Sequence, residues 1–374
     1  MKIYFRTRRS EMKYPNRVQQ LRQSAGLSRA EVAQQVGITP QALGLIEQGR
    51  VSPLTHVALG LARALGTTVE SLFQQPEAEQ LTWRLFAPDL DPACVPDRIR
   101  AVVGHVNGQP IVRSLQHAAF GTPACAMAVP TSIQKARVEW LGDPAQSFAT
   151  LFVSGCDPAL SLVCGWMNKQ SSTCQAVHFH ATNRQSLAEL AAGVTHVAAI
   201  HGTLDDLPGL LEQCEEPVVA IELARACMGW IVPHGNPKSW VVSRDFGNGE
   251  MRIVNRPIGA GARLLIDTEL ARQNLNPKQV MGYDCEVADH WQVAQAVALG
   301  AADVGVAHEC VCTLHHVSFI PIRNEITMLF IPRSYLRHPA VQSLCEVLQS
   351  DRFRSDLGAA GPYDVEHTGQ LFVN

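Results

Sequence analysis

Three features of the sequence predict a multidomain protein with an all-α head, a β-rich connecting segment and an α/β domain. A length of 374 residues is enough for two or three domains. Short helical patterns fill residues 14–74, strand patterns separated by turn residues fill 81–149, and strands alternate with helices from residue 151 onward. We therefore expect domains at 1–75, 81–149 and 150–374, with the polar stretch 76–80 as a linker.

The head contains two short helix patterns joined by a glycine. Ser28 and Glu31 have the spacing of a capping box at the start of the first helix. Gly37 interrupts the pattern, and Thr39 followed by Pro40 is a typical start for a second helix. This is the helix-turn-helix pattern, in which the start of the second helix faces base edges in the major groove.

Residues 44–53, GLIEQGRVSP, resemble the Cro/repressor-type (XRE) helix-turn-helix family, and the resemblance covers about residues 14–74. It implies that the head binds a double-stranded DNA operator. Gln41 has the amide that can bond adenine at two positions. The alternative is a small helical bundle without a role in DNA binding. The residues predicted to contact DNA are Arg17, Ser28, Arg29, Thr39, Pro40, Gln41, Gly44 and Arg50.

The charge distribution favours nucleic-acid binding by the head alone. Residues 1–75 contain ten basic and four acidic residues, a net charge of +6, whereas the whole chain has −3 and the remainder therefore −9. A basic head attracts phosphates, and the acidic remainder does not.

Composition predicts a cytoplasmic protein without a membrane partner. No run of 18 apolar residues is present, and the first residues lack the apolar segment of a signal peptide. Because the cytoplasm keeps thiols reduced, we expect the eleven cysteines to be free thiols.

The rest of the chain gives a coarse order of elements. Asn107-Gly108 predicts a tight hairpin turn in the β-rich segment. Repeated strand–helix units after residue 150 predict a mostly parallel sheet covered on both faces. Within this part, residues 319–332 (FIPIRNEITMLFIP) are predicted as a pair of strands, and 338–358 as one closing helix.

Three loops of the α/β domain join a strand to a helix, at 154–158, 181–184 and 256–263. Ligands in open α/β sheets bind beyond the carboxyl ends of strands, and helix N-termini favour anions. Gly259 and Gly261 would let the backbone approach a ligand, and Arg256 and Arg263 could add positive charge. The alternative is that the glycines only form the turn and both arginines lie on the surface.

The order of SGCDPALSLV, NRPIGAGAR and FIPIRNE along the chain resembles the periplasmic-binding-protein-like domain of molybdate-responsive regulators and of proteins associated with molybdopterin biosynthesis. The resemblance implies a type II binding-protein fold, in which two α/β lobes close on a small ligand. Two hydroxyl donors common in the family are replaced in GAGAR, which favours another small anion or an organic molecule over molybdate or tungstate. The ligand-binding residues implied are Ser154, Gly155, Cys156, Asp157, Thr182, Asn183, His201, Gly259, Gly261, Arg263, His290 and Glu325.

A metal or thiol function is the alternative for this domain. His308, Cys310 and Cys312, followed by His315 and His316, form a dense group that could bind a soft or borderline metal, although the spacing is not that of a zinc finger. Cys156 is predicted to lie near a helix N-terminus, which would lower its pKa and favour a redox or thiol-modification role.

Together these features predict a ligand-responsive, DNA-binding transcription regulator that acts as a homodimer on a palindromic operator. We predict no cofactor, no resident metal and no catalytic residue, because GxSxG, HExxH and Walker sequences are absent. The alternatives are a metal- or thiol-responsive regulator that uses the 308–316 group or Cys156, and, less favoured, an enzyme of cofactor metabolism.

Overall fold

The computed structural model describes residues 16–73, 82–171, 174–214, 216–240 and 251–372. The chain separates into two compact units, 1–81 and 82–374, and each is described by itself. The predicted linker 76–80 lies outside the described residues. None of the described helices is both long and apolar enough to span a membrane.

Five short helices form the head: α1 Val18–Ser24, α2 Arg29–Val36, α3 Pro40–Glu47, α4 Thr55–Ala64 and α5 Val69–Phe73. The predicted capping box is present, because the Ser28 hydroxyl accepts from the Glu31 amide and the Glu31 carboxylate accepts from the Ser28 amide. Gly37 then takes the left-handed conformation, with φ of 75°, that ends α2 and turns the chain toward α3. The core is made of side chains that are fully buried: Val18, Val32, Ala33, Leu43, Leu61 and Leu72.

The second unit begins with five strands that close into a small barrel in the order β1-β3-β2-β4-β5. They are β1 Trp83–Phe86, β2 Ile99–Val106, β3 Gln109–Ser114, β4 Ala126–Ser132 and β5 Lys135–Trp140. Asn107 and Gly108 have φ values of 52° and 71°, which is the conformation that a two-residue hairpin turn between β2 and β3 requires. The hairpin predicted from this pair is therefore confirmed.

An α/β domain follows, with its strands in the order β10-β11-β9-β12-β8-β6-β7 and β13 beside β9. The strands are β6 Thr150–Gly155, β7 Gln175–His180, β8 Val197–Gly202, β9 Val218–Pro233, β10 Ile253–Val254, β11 Val304–His308, β12 Val317–Pro332 and β13 Leu371–Phe372. The helices are α6 Ala159–Gln170, α7 Asn183–Ala191, α8 Leu207–Leu211, α9 Gly261–Arg272, α10 His290–Ala298, α11 Pro339–Gln349 and α12 Asp351–Ala360.

Two long antiparallel strands, β9 and β12, divide this domain into two lobes. Each has 16 residues, and the two pair along their whole length. Residues 326–330 of β12 pair with β8 in the first lobe. Residues 228–231 of β9 pair with β11 in the second lobe. Two α/β lobes joined by crossing strands form the type II arrangement, so the predicted fold class is confirmed. The expectation of a mostly parallel sheet is wrong, because β9 and β12 pair antiparallel with each other and with β11 and β8.

Two expected elements differ from the structure. Residues 319–332 belong to one strand and not to two, because the register shifts at Pro321/Arg323 and Thr327/Met328 bend the ladder without ending it. The closing helix is two helices, since Ser350 is extended with ψ of 124° between α11 and α12.

Candidate functional site

The exposed face of α3 is the first candidate surface. Leu43 and Ile46 are buried in the head, while Gln41 and Leu45 on the same helix and Gln48, just after its end, are exposed. The Thr39 hydroxyl accepts from the Ala42 amide and caps the helix. A shallow groove runs along this face, lined by Arg29, Pro40, Gln41, Gly44, Leu45 and Gln48.

A buried carboxylate holds this surface together. Glu47 accepts from Arg22 Nε at 2.5 Å and from Arg29 Nε at 2.6 Å, so α1, α2 and α3 meet at one ion-pair network. Burial alone would raise the pKa of Glu47, but the two guanidinium groups outweigh it and the pKa is lowered. Arg29 keeps 44% of its side chain exposed, so its guanidinium is positioned by Glu47 while part of it faces solvent.

The residues predicted to contact DNA have different environments in the head. Arg17, Arg29, Pro40, Gln41 and Arg50 are exposed, and so are the two capping residues Ser28 and Thr39. The remaining residue, Gly44, is buried, and a Cβ there would meet no atom within 4 Å.

The second candidate site lies between the two lobes of the α/β domain. We call it the interlobe cluster and define it as Cys156, His201, His290, His308 and Glu325. Cys156 follows β6, and His201 lies in β8 of the first lobe. His290 begins α10 and His308 ends β11 in the second lobe, while Glu325 lies in β12 between them. All five are buried, with at most 3% of each residue exposed, so the lobes are closed over the cluster.

A chain of short polar contacts runs through the cluster. Cys156 Sγ lies 3.0 Å from His201 Nε2, and His201 Nδ1 lies 2.5 Å from Glu325 Oε2. The other oxygen of Glu325 accepts from Arg323 Nε at 2.8 Å. Asn183 fixes the backbone of His201, because its amide donates to the carbonyl at 2.6 Å and accepts from the His201 N–H at 3.2 Å.

These contacts shift the pKa values of three groups. Burial opposes charge on Cys156, but the neighbouring His201 outweighs it and lowers the thiol pKa. Burial likewise opposes charge on His201, yet Cys156 and Glu325 raise its pKa well above the ordinary value. Burial would raise the pKa of Glu325, but His201 lowers it to about 2. Both shifts favour the charged forms of Cys156 and His201, which lie next to the Glu325 carboxylate.

The other two histidines are neutral. Burial, reinforced by the charge of Arg256, holds the pKa of His290 well below its ordinary value. Burial also lowers the pKa of His308, although Asp157 opposes this. Among the described residues, His290 Nε2 and both ring nitrogens of His308 have no hydrogen-bond partner. Neutral, buried imidazoles with free nitrogens are suited to ligation.

Asp157, next to Cys156, anchors the loop. Its carboxylate accepts from the Ala159 amide at 2.9 Å, from the Tyr363 hydroxyl at 3.0 Å and from the Thr327 hydroxyl. Both oxygens are thus engaged by protein groups, and the loop after β6 is tied to β12 and to the C-terminal segment.

The side chains of two residues that were predicted to bind the ligand make contacts within the protein. The Ser154 hydroxyl lies 3.2 Å from Arg113 Nη1 and also contacts Glu189. Thr182 caps α7 in a capping box with Gln185.

Glycines allow tight packing around this site. A Cβ at Gly155 would lie 2.5 Å from Leu160, and a Cβ at Gly261 would lie 2.8 Å from His201 Cε1. Gly259 has φ of 95°, which few other residues adopt. With the lobes closed, the backbone at Gly261 therefore packs closely against His201 of the first lobe.

The sequence suggested that both arginines of the 256–263 loop could add positive charge for a ligand, but their side chains have different environments. Arg263 was the predicted ligand contact, but its Nη1 donates to the Arg256 carbonyl at 3.1 Å and pairs with Glu286, and its guanidinium lies over Tyr283. Arg256 is 1% exposed, and its Nε and Nη1 have no hydrogen-bond partner among the described residues. Arg256 is therefore the buried, unsatisfied cation near the cluster. Its position two residues after β10, close to a strand end, was the signal for it.

The group at 308–316 does not converge on one point. Cys310 Sγ lies 3.2 Å from the Tyr363 hydroxyl, and burial raises the pKa of this thiol to about 12. His315 lies against Trp291, and His316 stacks on His234 with ring centroids 3.7 Å apart. The alternative of a single metal site within this segment is therefore not supported, since the 3-10 helix Glu309–Thr313 separates the side chains and residues 309–316 contribute to no group of potential ligands among the described residues. Only His308 reaches the interlobe cluster.

Comparison with known proteins agrees with this architecture. A family model described as a helix-turn-helix domain matches residues 16–72, and one described as a PBP superfamily domain matches residues 165–349. YvgK of Bacillus subtilis (strain 168), described as uncharacterized, is 30% identical over 158 residues, which are 42% of this chain. The chain spans about half of that relative, 51% of its length.

Two further similarities are weaker. An uncharacterized Clostridium pasteurianum protein, named for its place in the 5′ region of a ferredoxin 2Fe-2S gene, is 28% identical over 109 residues, 29% of this chain and 96% of its own length. PhnD1 from Prochlorococcus marinus (MIT 9301), solved with methylphosphonate, is 12% identical at a TM-score of 0.41 and covers 58% of this chain and 92% of its own.

Proposed function

Because the chain carries a helix-turn-helix domain and a PBP superfamily domain, a combination that fits a ligand-binding, DNA-binding regulator, we propose that it is a transcription regulator of the XRE type controlled by a small ligand between its two lobes. The observation that carries the proposal is the presence, in one chain, of an α3 face exposed for DNA and of a buried polar cluster between two lobes. We propose no catalytic role for either site.

On the DNA side, Thr39 and Gln41 at the start of α3 contact base edges, and Arg17, Arg29 and Arg50 contact phosphates. One short helix makes few base contacts, so useful specificity needs two heads on two half-sites. We therefore propose a homodimer on a palindromic operator.

On the ligand side, binding is coupled to closure of the lobes. The cluster is buried in the closed state, so a ligand enters when the lobes open and is enclosed when they close. A ligand changes DNA binding only if it favours one arrangement of the protein over the other. Arg256 favours an anionic group on that ligand, because a buried guanidinium with unpaired donors is costly.

The experiment is a selection of duplexes from a random library with the full-length protein at low salt. The selected sequence is expected to be palindromic. The affinity of the protein for this duplex is expected to change when small molecules extracted from cells of the source organism are added. A protein that enriches no sequence would refute the proposal.

The Cys156–His201 pair favours one second candidate, a thiol-responsive regulator. A lowered thiol pKa increases the thiolate fraction that reacts with electrophiles. Intact mass spectrometry after brief treatment with a small electrophile, repeated with Cys156→Ser, tests it. Because the exposed thiols of Cys94 and Cys285 also react, the adducts are located by peptide mapping, and a Cys156 peptide that stays unmodified in the folded protein rejects this candidate.

A further inference from the structure

We propose that Cys156, His201 and His290 form a binding site for a thiophilic divalent metal ion, with Zn²⁺ as the ion that best suits the ligands. The inference rests on the proposed function, since it names the metal as an effector of the same interlobe site. It differs from the group suggested by the sequence at 308–316, which the fold separates.

The ligand atoms have the right identity and spacing. One atom from each of the three residues lies within 4.8 Å of the other two, and all three residues are buried. Thiolate and imidazole are both zinc ligands, and three protein ligands leave one position of a tetrahedral site open. Ligands around a tetrahedral Zn²⁺ are about 3.5 Å apart, so the 3.0 Å between Cys156 Sγ and His201 Nε2 needs only a small separation to admit the ion.

The groups behind the ligands are those of a metal site. Glu325 Oε2 lies 2.5 Å from His201 Nδ1, which leaves His201 Nε2 directed at Cys156. Carboxylate–histidine pairs of this kind orient the imidazole and increase its basicity toward the metal. Arg323 in turn holds Glu325, with Nη2 at 2.5 Å and Nε at 2.8 Å from Oε1.

His290 supplies the independent observation. It is 1% exposed, and its Nε2 has no partner among the described residues, so a buried polar atom is left unsatisfied without a ligand. Its Nδ1 accepts only a long contact of 3.4 Å from the His308 amide. Ligation through Nε2 would move the ring proton to Nδ1 and give up this weak contact.

A second set, His201, His308 and Glu325, also lies within 4.8 Å. We favour the cysteine set because Glu325 is already bonded to Arg323 and His201, whereas the Cys156 thiol has no hydrogen-bond partner besides His201 in the part of the chain that the structure describes. Both sets share His201, so the cluster holds one ion.

The charges near the site admit a cation. The carboxylates Asp157 and Glu325 balance the guanidinium groups of Arg256 and Arg323, so a ligated Cys156 thiolate with neutral imidazoles gives the surroundings one net negative charge. Arg256, whose Nε and Nη1 have no hydrogen-bond partner among the described residues, is then available to bind a separate anionic group. The metal and the anion of the proposed function thus satisfy different groups.

The test uses full-length, metal-stripped protein titrated with Co²⁺, which reports thiolate ligation through a near-ultraviolet charge-transfer band and tetrahedral geometry through visible bands. We expect one equivalent to bind with both signals and Zn²⁺ to displace it. Cys156→Ser should abolish the charge-transfer band, and His290→Gln should weaken binding by at least about tenfold. Circular dichroism confirms that each variant folds.

Two matched controls separate this site from the other thiols and imidazoles. Cys94→Ser removes an exposed thiol, and His316→Gln removes an exposed imidazole of the 308–316 group. Both should bind Co²⁺ as the parent protein does. Absence of Co²⁺ binding to the folded parent, a thiolate band that survives Cys156→Ser, or a band lost in either control would overturn the site.

The same samples are then assayed on the selected duplex with and without Zn²⁺. Duplex binding without any metal binding rejects the metal inference and leaves the proposed regulator standing. Metal binding by a protein that binds no duplex in either state supports the site and rejects the proposed regulator. An affinity for the duplex that Zn²⁺ changes in the parent protein, but not in His290→Gln, supports both.

Discussion

At the scale of single residues, Gln41 is the side chain that we propose to recognise a base of the operator. It is exposed at the start of α3, where an amide can bond adenine at two positions. Gln41→Ala is expected to cost about 1–3 kcal/mol of operator affinity and to relax the preference at one base pair. Fluorescence anisotropy with matched and mismatched duplexes measures both effects. Gln19→Ala, an exposed glutamine of α1, serves as the control and should change neither.

Glu47 is a residue whose effect is on stability. Its side chain is fully buried between Arg22 and Arg29, so Glu47→Gln removes the charge that compensates a buried guanidinium. We expect the head to lose about 3 kcal/mol of stability. Hydrogen–deuterium exchange of peptides from α1 and α3 in the full-length protein measures the loss. Unchanged exchange in this variant would show that the network adds no stability.

The same carboxylate gives the head a pH dependence. The pKa of Glu47 is lowered in the folded state from its ordinary 4.5, so its stabilising contribution is present above pH 4.5 and is lost as the pH falls through the folded-state value. Exchange protection of α3 should therefore decrease on acidification below pH 4.5. In Glu47→Gln this decrease should be smaller, because the titrating group is absent.

At the scale of elements, the first turn of α9 controls how closely the second lobe meets His201. A Cβ at Gly261 would lie 2.8 Å from His201 Cε1, so Gly261→Ala is expected to displace either the loop or the ring. Co²⁺ affinity should fall, because His201 is a proposed ligand. Gly165→Ala is the control, since a Cβ added at that helical glycine would meet no atom within 4 Å and the change should stabilise α6 by up to about 1 kcal/mol.

Elements that depend on local patterns were predictable, and elements that depend on distant pairing were not. Ser28, Gly37 and Thr39 mark helix boundaries through contacts a few residues away, and the structure has those boundaries. The continuous strand β12 could not be recognised from its own sequence, because its continuity comes from pairing with β9 some hundred residues earlier. Pro321 and the polar residues 323–325 suggested a break that this pairing overcomes.

The candidate site, too, could be predicted from the sequence only in part. The resemblance to binding proteins placed Cys156, His201, His290 and Glu325 among the ligand residues, and the structure brings these four together. It could not indicate that Arg263 is engaged by Glu286 while Arg256 is buried without a partner among the described residues. Such differences depend on side-chain directions that spacing along the chain does not contain.

At the scale of the whole molecule, the division of charge predicts how DNA binding responds to salt. Each phosphate contact releases a counterion, so the logarithm of affinity falls linearly with the logarithm of salt concentration. Arg50→Ala is expected to weaken binding to all sequences alike and to reduce the slope by about 1 for each head bound. Arg98→Ala, outside the head, should leave the slope unchanged. A change in base preference for Arg50→Ala would assign that residue to base recognition.

Dimerisation is the last requirement of the proposed mechanism. The short helix α3 has only eight residues, and its exposed face offers few groups to bases, so a single head should bind DNA weakly. Two heads on one duplex should protect two half-sites about 10 base pairs apart, or a multiple of that distance. Sedimentation of the full-length protein with the selected duplex measures the stoichiometry. One chain per duplex at saturation, with a single protected half-site, would exclude a symmetric dimer and would require the ligand to act within one chain.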